Sequence, residues 1–160
     1  MSFDCGSEPL NEYLQRYARQ NHDSGLAKTW VAVEAGGERV LGFYTLTVAH
    51  VEFASAPERL RRRFPRYPIP VYRLARLAVA RTVQGQRVGA ELLLSAVMRA
   101  RAAADSVGGI GLLIDAKDDD AARWYRRFGA TPLVDHPLLL LLPFDVVGAA
   151  LRDAGEDASP

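Results

Sequence analysis

The chain has 160 residues and a net charge of +1, with 49% of its residues hydrophobic and 24% charged. That is the size and make-up of a single soluble domain, 1–160, with a real core. It excludes a disulfide framework, since Cys5 is the single cysteine, and a bilayer-spanning helix, since no apolar run approaches the roughly 20 residues required.

Ser7 precedes a helix predicted over residues 8–21, with Pro9 in its first turn and Leu10, Tyr13, Leu14, Tyr17 and Ala18 on one face. Residues 28–35 read as a strand, Gly36-Gly37 as a hairpin turn and residues 39–51 as the return strand. Residues 56–64 read as a short basic helix, and residues 65–70, with three prolines, as an extended loop. A strand follows over 71–80, then a helix over 88–104 whose apolar face is Leu92, Leu93, Ala96, Val97 and Ala100. Residues 110–116 form a buried strand. Residues 118–129 form a helix with acids at its N-terminus, where the dipole favours them, and Gly129 at its C-cap. The apolar run Leu138–Leu142, closed by Pro143, belongs to a last strand over 138–144, and residues 153–160 read as a flexible tail. This order describes an α/β (α+β) protein with a mixed sheet and helices on both faces, not an all-parallel doubly wound sheet. Cys5 reads as a small buried hydrophobe, and without a secretory signal the expected location is cytoplasmic.

The small net charge hides an uneven distribution. From Arg59 to Arg87 there are nine arginines and no Asp or Glu. Arginine's planar fork suits phosphate, so the interval reads either as solvated surface or as a surface that receives phosphates from a cofactor or a nucleic acid. Within it, Gln84-Gly85-Gln86-Arg87-Val88-Gly89 joins a strand to a helix start. Such a turn presents backbone N–H groups at the positive end of a helix dipole, where phosphate binds without a side-chain charge. It is not a P-loop, because no Gly-Lys-Ser/Thr follows, and it lacks the dinucleotide fingerprint. The turn alone fits a plain strand–helix connection equally well.

The turn after "RLARLAV" resembles the acetyl-CoA pyrophosphate loop of GNAT N-acetyltransferases, whose pattern is Arg/Gln-x-x-Gly-x-Gly/Ala. Gln84 takes the first position and Gly89 the last, while Arg87 stands where the first glycine belongs. "FDCGSEPLNEYLQRYA" (3–18), "GLAKTWVAV" (25–33), "GFYTLTVAHV" (42–51), "IPVYRLARLAV" (69–79) and "DAARWYRRFGATPL" (120–133) resemble the toxin branch of that family. Members ordinarily carry a further N-terminal strand before this point, so that strand is expected to be truncated or misassigned here.

The resemblance implies a GNAT fold, with a mixed, mostly antiparallel central sheet, splayed central strands and helices on both faces. It implies acetyl-CoA as donor, the α-amine of aminoacyl-tRNA as acceptor and a ribbon-helix-helix antitoxin as partner, with no metal and no membrane; a homodimer is compatible with it. Leu77, Ala78 and Val79 would offer backbone groups to the cofactor, the Val79 N–H polarising the thioester carbonyl. Gln84, Gly85, Gln86, Arg87, Val88, Gly89 and Ala90 would hold its phosphates. Tyr125 would protonate the departing thiolate, since a phenol of pKa roughly 10 remains protonated beside a thiol of roughly 8.5. Arg61, Arg62, Arg63, Arg66, Arg73, Arg76 and Arg81 would grip tRNA phosphates.

Arg73 and Arg76, three apart on a strand, are expected on opposite faces, one towards RNA and the other packed or paired with an acid. Arg87 would either reach round on an unstrained backbone to add charge at the phosphates or narrow the approach and weaken cofactor binding. His22, His50 and His136 are scattered and none reads as a general base. An α-amine of pKa roughly 7.7–8.0 needs a base less than a lysine of roughly 10.4 does. A small amine or a protein N-terminus is the alternative acceptor, and the basic interval argues against it.

Overall fold

The computed structural model describes residues 3–147; the expected tail at 153–160 lies outside the described residues. In chain order they form α1 (Glu8–Glu12), a π-helical turn (Tyr13–Tyr17), α2 (Ala18–Ser24), β1 (Lys28–Val33), β2 (Val40–Val51), α3 (Glu58–Arg61), β3 (Ile69–Val79), α4 (Val88–Val107), β4 (Gly111–Asp115), α5 (Asp119–Arg126), β5 (Thr131–Leu133) and β6 (His136–Pro143). Single 3-10 turns lie at Phe53–Ser55 and Arg81–Val83. The strands make one six-stranded, mostly antiparallel sheet in the order β1-β2-β3-β4-β6-β5, as the expected fold class requires. No described helix is long and apolar enough to cross a membrane.

The chain divides into two compact units. The first holds the residues up to Thr47 and Leu74–Ala96. Its core is a cluster of Phe3, Cys5, Tyr13, Ala18, Phe43, Ala78, Ala80 and Val83. Cys5 is therefore the buried small hydrophobe its sequence context predicts. Phe43 organises the cluster: the Phe3 ring meets it edge-on at 5.7 Å and the Tyr13 ring stacks on it at 6.3 Å. Residues Gly42–Leu46 of β2 are all buried, so both faces of that stretch are covered and the two-residue alternation disappears. β1 pairs with it antiparallel, Trp30 opposite Tyr44 and Thr29 opposite Thr45, with the two threonine hydroxyls 2.8 Å apart.

The N-terminal helix departs from the predicted regular pattern. It runs on to Ser24, and a π turn interrupts it where the Ala18 N–H bonds the carbonyl of Tyr13, five residues back. The wider turn brings Ala18 rather than Tyr17 under Tyr13, leaving Ala18 5% and Tyr17 49% exposed. Ser7 occupies the N-cap position without a capping hydrogen bond from its side chain. Asn11 secures the entry instead: its Oδ1 accepts the Cys5 N–H at 2.9 Å and its Nδ2 donates to Asp4 Oδ1 at 3.1 Å. This explains a polar side chain that is only 6% exposed.

The second unit holds Val48–Arg73 and the residues from Val97 onwards. β6 lies between β4 and β5, with Ile114 opposite Leu140 and Pro132 opposite Leu140 on the other side. Consecutive Leu140, Leu141 and Leu142 are all buried, so both faces of the strand are covered there and Leu138–Leu142 reads as a continuous apolar run. β5 is absent from the sequence reading. It has three residues, includes Pro132 and forms the sheet edge, the one place where a missing N–H is tolerated. β3 starts at Ile69, two residues before the expected strand, with Ile69 and Val71 buried and Pro70 exposed between them. α5 ends at Arg126 with Arg127 as its C-cap, earlier than predicted, and Gly129 makes the left-handed turn beyond it: its φ is +101°, its N–H bonds the Arg126 carbonyl at 3.0 Å and the Ala130 N–H bonds that of Tyr125 at 3.4 Å.

Gly42 is where β2 tolerates no side chain. A Cβ there would lie 2.7 Å from the Ala78 carbonyl oxygen and 2.7 Å from Leu92 Cδ1. Gly42→Ala is expected to cost about 1–3 kcal/mol in urea unfolding, the cost of overpacking against backbone; an unchanged midpoint would contradict that packing.

Candidate active site

Within the first unit, β3 ends at Val79 and the chain passes through the 3-10 turn and residues 84–87 into α4. Gln84 fixes this passage. Its Nε2 donates to the Val79 carbonyl and to the Cys5 carbonyl, both at 2.9 Å. The side chain expected to serve the cofactor is thus committed to the strand end and the N-terminal loop, leaving the backbone of the turn to meet a ligand. Gly85 has φ +82° with open space where a side chain would project. The Gln86 N–H bonds the Val83 carbonyl at 3.3 Å.

Arg87 has φ +69°, the single positive value among the described non-glycine residues. Of the two alternatives for this position, the one that needs an unstrained backbone does not hold. The chain takes the glycine conformation there with an arginine in it, at a cost of roughly 1–2 kcal/mol. The reason lies in the next bond: the Arg87 carbonyl accepts the Glu91 N–H at 3.1 Å and starts α4. Val88, Gly89 and Ala90 precede that first helical bond, so their N–H groups have no partner within the helix. They stand at the positive end of a 20-residue helix. A strand end, a tied turn and three aligned donors fit a pyrophosphate. Leu77 and Val79 are partly buried and Ala78 is buried; Ala78 and Ala80 face the core cluster.

In the second unit, Tyr125 lies on α5, buried at 5% exposure, with the Trp124 ring 4.9 Å away at 72°. Among the described residues no group hydrogen-bonds its hydroxyl. Burial, and secondly the charge of Asp115, hold its pKa well above the ordinary phenol value. Asp115, at the end of β4, is itself held by Arg73, whose Nε and Nη2 reach its two oxygens at 2.7 and 2.8 Å. That fork raises the Arg73 pKa and offsets the carboxylate charge facing Tyr125. Asp118 caps α5 through the Ala121 N–H at 2.8 Å.

The expected arginine grip is not one arrangement. Arg73 pairs with Asp115, while Arg76 places its guanidinium carbon 3.6 Å from the centroid of the Tyr13 ring. Arg81 pairs with Asp4 at 3.4 Å, Arg62 with Glu58 at 2.8 Å and Arg63 with Asp145 at 2.8 Å. Arg61 donates to the Ala54 carbonyl at 3.3 Å, and Arg66 is exposed. The exposed pairs are each worth no more than about 1 kcal/mol, so a phosphate can displace them. His22 accepts the Thr29 N–H at 3.0 Å, His50 meets Glu52 at 3.0 Å and His136 is exposed. Sequence reasoning missed Asp115 and Tyr13. The first ends a buried apolar strand, an uncommon place for an acid, and that was the available signal; the second reads as ordinary core.

The model of the acetyltransferase (GNAT) domain matches residues 25–129. The chain belongs to the GNAT acetyltransferase family. It is 40% identical over 152 residues to the tRNA-acetylating toxin of Mycobacterium tuberculosis, covering 95% of this chain and 90% of that protein. Among solved GNAT structures it is similar to AtaT complexed with acetyl-methionyl-tRNAfMet, with a TM-score of 0.83, 32% identity and coverage of 89% of this chain and 86% of that one. It is also similar to a mutant AtaT toxin bound to the C-terminus of the antitoxin AtaR and acetyl-CoA, with a TM-score of 0.78, 30% identity and coverage of 92% and 86%.

Two measurements check this geometry. Arg87→Gly removes the left-handed strain and should raise stability by about 1 kcal/mol in thermal unfolding; a destabilised variant would contradict the strained backbone. Tyr125 is favoured un-ionised in the fold, so its contribution to stability is complete below about pH 10 and is lost as pH rises above that value. Tyr125→Phe should therefore lose stability less steeply than wild type above about pH 10; equal slopes would place the phenol in water.

Proposed function

We propose that this chain is an acetyl-CoA-dependent N-acetyltransferase that acetylates the α-amine of aminoacyl-tRNA and so blocks translation. The observation that carries the reading is the similarity, along almost the whole chain, to a tRNA-acetylating toxin. The tied turn before α4 supports it. Acetyl-CoA, when bound, supplies the acetyl thioester that the amine attacks. The N–H groups of Val88, Gly89 and Ala90 hold its phosphates, with Gln84 keeping their loop in place, and Gly85, Gln86 and Arg87 complete the wall. Leu77, Ala78 and Val79 present the strand to the acyl arm, with the Val79 N–H on the carbonyl oxygen. This places charge-stabilising donors where negative charge develops.

Tyr125 keeps its proton at Oη until the sulfur leaves and then delivers it, and the proton shed by the attacking amine returns through water to restore the phenol. Burial and the charge of Asp115 make it a donor and never a base at neutral pH. Arg73, by occupying both oxygens of Asp115, keeps that donor from becoming too weak. The ester beside an aminoacyl α-amine lowers an already modest pKa, so a fraction of the acceptor arrives neutral without a side-chain base. Arg61, Arg62, Arg63, Arg66 and Arg81 supply sequence-independent attraction to the tRNA backbone. The same reading extends to an antitoxin of the ribbon-helix-helix type that covers this surface, to a cytoplasmic location beside the tRNA pool, and is compatible with a homodimer.

Tyr125→Phe should lower kcat on charged tRNA by about 10²–10⁴-fold, the usual share of a general acid, with acetyl-CoA affinity by calorimetry within twofold of wild type. Wild-type turnover on charged tRNA should fall steeply with salt, because several phosphate contacts are replaced by ions. A shallow salt dependence, or a Phe variant as active as wild type, would contradict the substrate or the acid respectively.

A further inference from the structure

Arg76 differs from every other arginine of the acid-free interval. It stands on β3 two and four residues before Ala78 and Ala80, which face the apolar cluster of the first unit. Period-two spacing therefore puts a cation on a strand face otherwise given to buried, mainly apolar side chains, Tyr72, Leu74, Ala78 and Ala80. Its guanidinium carbon is 3.6 Å from the Tyr13 ring centroid, the separation of two stacked planes. That ring is itself fixed: it is 4% exposed, stacks on Phe43 at 20° and opens the π turn whose backbone bond runs from Ala18 to Tyr13. Among the described residues Arg76 forms no ion pair and donates no hydrogen bond. A guanidinium stacked on a ring keeps its donor fork in its own plane, pointing away from the ring, so Arg76 is oriented in advance and its donors are uncommitted.

The direction of the strand says which phosphate it meets. β3 (Ile69–Val79) passes Arg76 before it ends at Val79, and the turn at Gly85 follows. Val79 is therefore the mid-point: the turn for the cofactor pyrophosphate lies beyond it in one direction, and Arg76 lies about 10 Å back along the strand in the other. We propose that Arg76, held on Tyr13, is a phosphate clamp for the acceptor: its fork takes a phosphodiester oxygen pair of the tRNA 3′ end and sets the distance from that phosphate to the amine. This rests on aminoacyl-tRNA being the substrate and names the group of it that Arg76 binds. A single fixed fork is a positioning contact, distinct from the displaceable surface pairs of Arg62 and Arg63.

The test uses Arg76→Gln and Arg76→Lys in the full chain. Affinity for charged tRNA is measured by filter binding over a salt series, acetyl-CoA affinity by calorimetry, and acetyl transfer on charged tRNA and on an aminoacyl nucleoside without phosphate. Arg76→Gln should weaken charged-tRNA binding about 10-fold or more and reduce the salt slope by roughly 0.7, one single-strand phosphate contact. The ratio of kcat/KM for charged tRNA to that for the phosphate-free nucleoside should fall by a similar factor. Arg76→Lys, which keeps the charge and the stem, should recover part of the affinity. Unchanged tRNA affinity and slope would overturn the clamp. A loss of acetyl-CoA affinity would assign Arg76 to the cofactor phosphates and overturn it as well, and an equal fall on both acceptors would make its role structural. If the wild type transfers to no charged tRNA, the substrate reading itself falls; if it does transfer and Arg76→Gln binds tRNA normally, only the clamp falls.

Discussion

The carboxamide nitrogen of Gln84 donates to two carbonyls at once, that of Val79 at the end of β3 and that of Cys5 in the N-terminal loop. Much of the turn in the first unit follows from this pair of hydrogen bonds. It closes the chain after the strand, so the backbone must reverse through left-handed values at Gly85 and again at Arg87 before a helix can start. The helix then starts with three N–H groups facing outward from a fixed position. Donors aligned before binding are what the proposed phosphate site requires. The arginine at position 87 bears a conformational cost that a glycine would not, so local stability is given up at the turn proposed for the anion.

The chemistry of the second unit rests on a different balance. Tyr125 is buried, and burial disfavours the phenolate. Asp115 adds to that effect, and Arg73 counters it by binding both carboxylate oxygens. The outcome is a phenol that stays protonated at any physiological pH and, among the described residues, has no acceptor for its hydrogen. The proton donor proposed for a departing thiolate needs both properties. The same arrangement commits the Arg73 fork to Asp115 and separates it from Arg76, its near neighbour in sequence, which stacks on Tyr13.

Much of this was legible in the residues. The order of helix, hairpin, strand, helix, strand, helix and strand follows from periodicity and turn residues, and the turn at 84–89 stands out by its glycines and its arginine. What escaped did so for physical reasons. β5 has three residues and a proline, too little for a two-residue pattern to register. The π turn at Tyr13–Tyr17 depends on tertiary packing that favours Ala18 over the larger Tyr17 beneath Tyr13, and local propensity carries no trace of it. The fork between Arg73 and Asp115 joins residues 42 positions apart, beyond any local signal. Charge counting in the arginine-only interval treats its members alike, although their surroundings divide them into exposed pairs, a bidentate bridge and a stacked cation.

The central claim is chemical: the acetyl group moves from acetyl-CoA to the α-amine of an amino acid esterified to tRNA. The most direct measurement incubates the purified protein with labelled acetyl-CoA and charged tRNA, then hydrolyses the ester and identifies the released amino acid by mass spectrometry. N-acetyl amino acid is expected from charged tRNA, with no label on deacylated tRNA. Label on a free small amine or a protein N-terminus, with charged tRNA left unmodified, would contradict it.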